Sequence, residues 1–345
     1  MFKRLSMLII VVFLVSCSVG NKPYSSNYSI GLIESTGQKN NSVITYFKED
    51  LTKVNSISYP YGSMNYHGFA TPIVEDGFLY TIPLGLSDRK DLGILMKMAL
   101  ESGKTETIKF NRTNITGAVV TKDAYYVVSN LNSSSYIDRY DRLSNQIETV
   151  VMDNSLVMSI AEHQGKIVGT GVLFEDAEKY QVWLLEFDFD TKSHHLLADL
   201  SPFCKDPESP SHFQSFGDKL YMTYLDNLLV YESSNDFVSA INLNAPYANQ
   251  MIVYKEKLYI VHADVVTHAV KSKITVFDPK TQLMKTHELN TNVIQIEVLK
   301  DKMIGLDLDT DSIYVYQVEN DQIKQINQIV ISPTKNLYMS AIFVK

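Results

Sequence analysis

Histidine and carboxylate side chains are the first residues to weigh. His262, Asp264 and His268 fall within one loop, a carboxylate between two imidazoles, and such a donor set is compatible with zinc or another divalent ion. Their spacing matches no compact metal motif, so hydrogen-bonded or solvent-facing histidines are the competing account; no resident cofactor is expected. His194 and His195 are adjacent on a strand-like run and point to opposite sides, which denies them a shared chelate. Asp307, Asp309 and Asp311 alternate with other residues, but the sixth-position glycine and twelfth-position acid of an EF-hand loop do not follow, and a strand-end acidic patch is expected instead. No serine sits in a glycine-flanked nucleophile elbow, and no glycine-rich phosphate loop is present. Cys204, beside Pro202, Phe203 and Pro207, reads as a partly buried loop thiol without a catalytic task. Tyr59, Tyr61 and Tyr66 form an aromatic group that would either fill a core or grip a glycan or apolar peptide.

Charge and the amino terminus bound the partners. With 31 basic against 39 acidic side chains the net charge is -8, the wrong sign for a phosphate backbone, and no nucleic-acid partner is expected. Lys3 and Arg4 precede an apolar stretch from Met7 to Val15, too short to span a bilayer comfortably, so residues 1–16 read as an export signal. The following Leu14-Val15-Ser16-Cys17 resembles the lipobox of bacterial lipoproteins. That resemblance implies cleavage before Cys17 and a covalent diacylglycerol and acyl anchor on its sulfur, two or three chains being enough to hold a domain on a membrane. Membrane lipid is then one partner, and the protein is lipid-anchored on the extracytoplasmic side of a bacterial membrane. Residues 17–28 are polar and contain Pro23, the composition of a tether; residues 29–345 form a single domain.

The elements that must position any site come from a repeat. Seven strand-like runs end in an aromatic residue or methionine before a turn, at Phe47, Met98, Tyr140, Phe187, Tyr231, Phe277 and Tyr316, spaced by 51, 42, 47, 44, 46 and 39 residues. A second marker, a turn opening into another strand, keeps the same order at Gly77-Phe78-Leu79-Tyr80, Asp123-Ala124-Tyr125-Tyr126, Gly165-Lys166-Ile167-Val168, Asp218-Lys219-Leu220-Tyr221, Glu256-Lys257-Leu258-Tyr259 and Asp301-Lys302-Met303-Ile304. Periods of this size belong to propeller blades of four short strands. No window carries a sustained helical stripe, and Leu86 to Leu100 is expected to be loop through Asp91 and then strand.

The two ends complete the architecture. Ile30–Glu34, Ser42–Phe47 and Val54–Tyr59 supply only three strands, while Asn336–Val344 has the pattern of an innermost strand with nothing after it. The expected fold is all-β: a seven-bladed β-propeller closed by a C-terminal innermost strand joined to the N-terminal blade, which removes the open edges of a cut ring. One face of such a ring gathers the loops that enter each innermost strand and those that join second and third strands. On this sequence that face collects Tyr66, His67, Arg89, Arg112, Asn114, His212, His262, Asp264 and His268 as candidate ligand-binding residues, the last three being the weak metal candidates.

With the lipobox and blade motifs such as Lys273-Ile274-Thr275-Val276-Phe277-Asp278-Pro279, the chain resembles bacterial surface lipoproteins built as single seven-bladed propellers, a group similar to YVTN-like and quinoprotein-like repeat proteins. The resemblance implies architecture alone, and Trp183 stands without the tryptophan docking pattern of quinoprotein repeats. The expected function is a membrane-anchored binding or assembly module that presents its loops to an envelope protein or surface glycan. The alternatives are an exported hydrolase or lyase working in the axial funnel, for which no catalytic residue is assigned, and a sensor or immunity lipoprotein.

Overall fold

The computed structural model describes residues 24–65, 71–85, 92–176, 179–204, 209–265, 267, 270–319 and 322–345. Seven four-stranded antiparallel sheets are formed. From the axis outward, blade 1 is Tyr338–Val344, Ile30–Ser35, Ser42–Phe47 and Lys53–Tyr59, and blade 2 is Ile73–Glu75, Phe78–Thr81, Ile94–Ala99 and Thr105–Lys109. Blade 3 is Ile115–Val120, Ala124–Leu131, Ser134–Asp141 and Ile147–Asp153; blade 4 is Ser155–His163, Lys166–Phe174, Tyr180–Asp188 and Ser193–Asp199. Blade 5 is His212–Phe216, Lys219–Tyr224, Asn227–Glu232 and Phe237–Asn242; blade 6 is Ala248–Tyr254, Lys257–His262, Lys273–Phe277 and Met284–Glu288. Blade 7 is Val293–Leu299, Lys302–Asp307, Ser312–Glu319 and Gln322–Val330.

The repeated aromatic marker has a packing cause. It is the last inward position of each third strand, and Phe47, Met98, Phe187, Tyr231, Phe277 and Tyr316 are buried between neighbouring blades, with Tyr140 half-buried. Leu79, Tyr125, Ile167, Leu220, Leu258 and Met303 of the second marker are buried beside them. Each such side chain contributes on the order of 1.5–3 kcal/mol by leaving water. A blade reaches that burial only against another blade, so the ring must close.

Closure is as expected: Ile30 pairs with Val344, Leu32 with Ile342 and Ser35 with Tyr338. The closing strand starts two residues later than Asn336 because Asn336 adopts a left-handed φ of 65° and Leu337 N–H turns back to the Thr334 carbonyl. A β-bulge at Ser340 then changes which blade each side chain meets. Met339 and Ile342 pack toward blade 7, with Ile304, Leu306 and Val315. Ala341 and Phe343 pack toward blade 2, with Leu79, Met96 and Met98.

Similar bulges skip Thr116, Met158, Asn249 and Ile294 in the innermost strands of blades 3, 4, 6 and 7. Beyond two of them a glutamine amide acts as a peptide unit toward the next blade. Gln250 donates to Ile296 O at 3.1 Å and accepts from Ile296 N–H at 2.7 Å; Gln295 does the same with Ile342, at 2.8 and 2.9 Å. These contacts satisfy innermost edges that would otherwise be unpaired.

At the base of the ring, Lys300 and Lys302 of blade 7 hold Glu49 of blade 1 at 2.6 and 2.7 Å, and the two ammonium groups bring its carboxyl down to about 2. The segment expected to be tether through residue 28 is partly docked there. Tyr28 is buried against Tyr46 and Phe343, the Tyr24 ring lies over Gly103, and both hydroxyls donate to Leu100 O. Lys345 closes the same corner through Ser29 O and Glu101. Tyr59, expected near the funnel, is core: its hydroxyl meets Tyr46 Oη at 3.0 Å and Met98 Sδ at 3.1 Å, and Tyr61 packs on the same cluster.

Gly31 lies opposite Phe343, and a Cβ at Gly31 would fall 2.1 Å from the Phe343 ring. Gly31→Ala is therefore expected to destabilise the ring by roughly 1–3 kcal/mol, as overpacking does. Thermal unfolding followed by circular dichroism checks it, and Phe343→Leu in the same chain should make the two losses sub-additive.

Candidate functional site

Two kinds of cavity arise from this ring. The innermost strands wall an axial cavity of about 300 Å³, and among the described residues three further cavities open where blades meet on the face carrying the loops between second and third strands. One of about 510 Å³ lies between blades 3 and 4 and is lined mainly by Asn130, Asn132, Ser133, Ser134, Asn154 and Asp176. Another of about 350 Å³ lies between blades 5 and 6, with Ser211, Thr223, Tyr247, Asn249 and Asp264 in its wall. The third, about 500 Å³, sits where the closing strand meets blades 7 and 2.

The residues expected on this face separate into different tasks. His262 is buried at the end of its strand, with Nδ1 on Pro246 O at 3.0 Å and Nε2 on the Thr275 hydroxyl at 2.8 Å. Burial holds its pKa below the usual histidine value, and with both nitrogens engaged it braces blade 6 and offers no ligand atom to the funnel. Asp264 accepts the Thr267 N–H at 2.8 Å and the Thr267 hydroxyl, so its carboxylate shapes the loop it stands on. Asn114, at a left-handed φ of 58°, donates to Asn130 O at 2.7 Å and supports the loop of the blade 3/4 cavity. Arg112 turns from the funnel to Asp138, at 3.0 Å, and lies over the Tyr136 ring. Tyr66, His67, Arg89, His268 and the acyl acceptor Cys17 lie outside the described residues. Among the described residues no group of three or more histidine, cysteine or acidic side chains is placed to hold a metal.

Two other expectations are corrected. Asp307 does end its strand, but it is fully buried and not an open acidic group: it accepts the backbone N–H groups of Asn292, Asp309 and Thr310, tying the entry of blade 7 to its own turn. Cys204 is more deeply buried than a loop thiol should be, and burial pushes its pKa up to about 12.

His212 is the expected residue that does reach the axis. It begins the innermost strand of blade 5, with Nδ1 at 3.0 Å from Ser211 Oγ, and its surroundings lower its pKa to about 4 by desolvating the cation. Glu297 lines the same cavity from blade 7, a residue that sequence inspection passed over. Desolvation raises its carboxyl to about 7 against one donated bond from Gln295 at 2.8 Å. Its signal was available: a charged residue within the apolar run Val293-Ile294-Gln295-Ile296-Glu297-Val298-Leu299.

No protein-family model and no curated protein matches the chain. Solved structures do. A protein of Bacteroides uniformis provisionally described as a 6-phosphogluconolactonase superposes with a TM-score of 0.63 at 12% identity, covering 92% of this chain and 100% of that one. The periplasmic gluconolactonase of Pseudomonas aeruginosa gives 0.63 at 11% identity, over 91% and 99%. A functionally unknown protein of Desulfotomaculum acetoxidans gives 0.61 at 13%, over 91% and 99%. At these identities the likeness is one of fold.

The axial pair makes stability depend on pH in two opposed ways. Between about 4.5 and about 7 the unfolded chain has lost the Glu297 proton that the folded chain keeps, so stability falls with rising pH. Between about 4 and 6.5 the unfolded chain binds the His212 proton that the folded chain refuses, so stability rises. Glu297→Gln removes the falling limb. Its Tm should match wild type near pH 4 and exceed it at pH 8 in melts across that range; equal Tm values at both ends would contradict the assignment.

Proposed function

We propose that the protein is a lipid-anchored extracytoplasmic binding module, seated base-down on a bacterial membrane, that offers its opposite face to an envelope protein or surface glycan. One observation carries this reading. The chain enters the ring at the base, at Tyr24 to Ser29 beside Lys345, whereas the three blade-junction cavities open at the other end of the strands. From Cys17 to Pro23 only seven residues remain to reach the lipid, a span of at most on the order of 25 Å. An acylated Cys17 would thus keep the base turned toward the membrane and the cavities away from it, with two or three acyl chains giving stable attachment. The acidic mature domain would stand off an anionic lipid surface.

The cavities suit recognition. Asn, Ser and Thr side chains stand among apolar ones on their walls, with carboxylates at Glu175, Asp176 and Asp264, a mixture that gives donors and acceptors to orient a ligand. A second reading, an exported hydrolase, is favoured by one feature: His212 and Glu297 line the same axial cavity, and a neutral imidazole and a carboxyl titrating near 7 are each suited to proton transfer. The fold it shares with a periplasmic gluconolactonase also favours export and hydrolysis.

Photo-crosslinkers placed singly at Asn132, on the cavity face, and at Asp190, on the base, test the orientation in intact cells. An envelope adduct is expected from position 132 only, and the adduct should disappear in Cys17→Ser. Adducts from position 190 alone, or a wild-type chain that incorporates no alkyne-palmitate, would count against the reading. Lactone or ester hydrolysis abolished by His212→Asn would favour the second.

A further inference from the structure

The cavity on the closing seam differs from the others in its walls. Leu308, Met64 and Met339 are among its lining, the two methionines themselves nearly inaccessible. Gln38, Ser63 and Asp311 stand on its rim, and Tyr338, the first residue of the closing strand, is 66% exposed at its edge. An exposed tyrosine at this place has no role in the core. The ring it closes is held by Met339 to Val344, all of them more buried.

The chemistry narrows the occupant. Among the described residues no lysine or arginine lines the cavity, and Asp311 and the net charge of -8 disfavour an anionic ligand such as a phosphate or carboxylate. Asp311 is a single carboxylate, too little for a divalent cation. A wholly apolar ligand would strand the hydroxyl, amide and carboxylate groups of the rim. A pyranose ring has what remains: one C–H face for the aromatic wall of Tyr338, and an edge of hydroxyls that donate to a carboxylate and accept from an amide or hydroxyl. About 500 Å³ lies within the usual range of small-ligand cavities, roughly 300–1,000 Å³. An exposed tyrosine also edges the cavity between blades 5 and 6, where Tyr247, 46% exposed, shares the lining with Ser211, Thr223 and Asp264.

We infer that these two tyrosine-edged cavities are subsites for neutral pyranose units of a glycan, with the seam cavity the principal one. This deepens the proposed binding function and rests on it. Two subsites on one rigid face favour a polymer over a monosaccharide, since the second contact forms at high effective concentration.

Full-length protein in detergent, titrated calorimetrically with maltohexaose, cellohexaose and chitohexaose and with polygalacturonate as the anionic control, decides the matter. Saturable binding of at least one neutral hexasaccharide is expected, and none of the anionic one. Tyr338→Ala should weaken that binding roughly tenfold with little change in Tm, Tyr338→Phe should retain most of it, and Asp311→Asn, which keeps the left-handed turn at φ 48°, should weaken it several-fold. Absence of binding to all three neutral sugars, or binding unchanged by Tyr338→Ala together with Tyr247→Ala, overturns the inference. If the sugars fail while the adduct from position 132 persists, the glycan is wrong and the binding module stands. If the sugars bind and no adduct forms from that face, the subsites stand and the anchored orientation is wrong.

Discussion

Everything in this ring depends on the pairing of Ile30–Ser35 with Tyr338–Val344. Each blade has two apolar faces and no way to bury either alone, so the first and last parts of the chain must meet within one sheet. The bulge at Ser340 lets that single strand serve both neighbours, sending Met339 and Ile342 into the core shared with blade 7 and Phe343 into the core shared with blade 2. Ser340 itself turns outward and donates to Met64 O at 2.5 Å, so the extra residue becomes a link to the next blade. Gln295 adds a second link to the same strand from the other side.

The same economy explains why several residues that looked chemical are structural. A propeller gathers polar residues at strand ends, and each strand end has turns and backbone groups to satisfy. His262, Asp264, Asp307 and Asn114 each spend their hydrogen bonds on that work. Polar groups left facing open space lie elsewhere, in the axial cavity and along the blade junctions. His212 and Glu297 are the clearest case, since desolvation lowers the imidazole to about 4 and raises the carboxyl to about 7.

The ends of the chain also give the molecule a direction. A corner built from Tyr24, Tyr28, Lys345 and the hairpin around Gly103 fixes where the amino-terminal segment joins the ring. Because strands run from base to cavity face and back, that corner and the three junction cavities lie at opposite ends of the same sheets. On the proposed reading, attachment and recognition would be separated by the length of a blade.

Periodicity made the architecture legible in advance. The aromatic residues closing each third strand recur because every blade junction needs one large side chain at the same depth, and Phe47 to Tyr316 record that need at regular intervals. Three strands at one end and one at the other likewise implied the clasp. Side-chain direction was not legible, since a bulge of one residue reverses it and no local pattern announces the bulges at Thr116, Met158, Asn249, Ile294 and Ser340. Nor could spacing foretell that Gln38, Asp311 and Tyr338, 300 residues apart at the extremes, would rim one cavity. Sequence alone determined the number of blades, their order and the closing strand, because these follow from burial repeated along the chain. Tertiary structure alone decided which polar atoms face open space, because that depends on which neighbouring strand reaches each of them first.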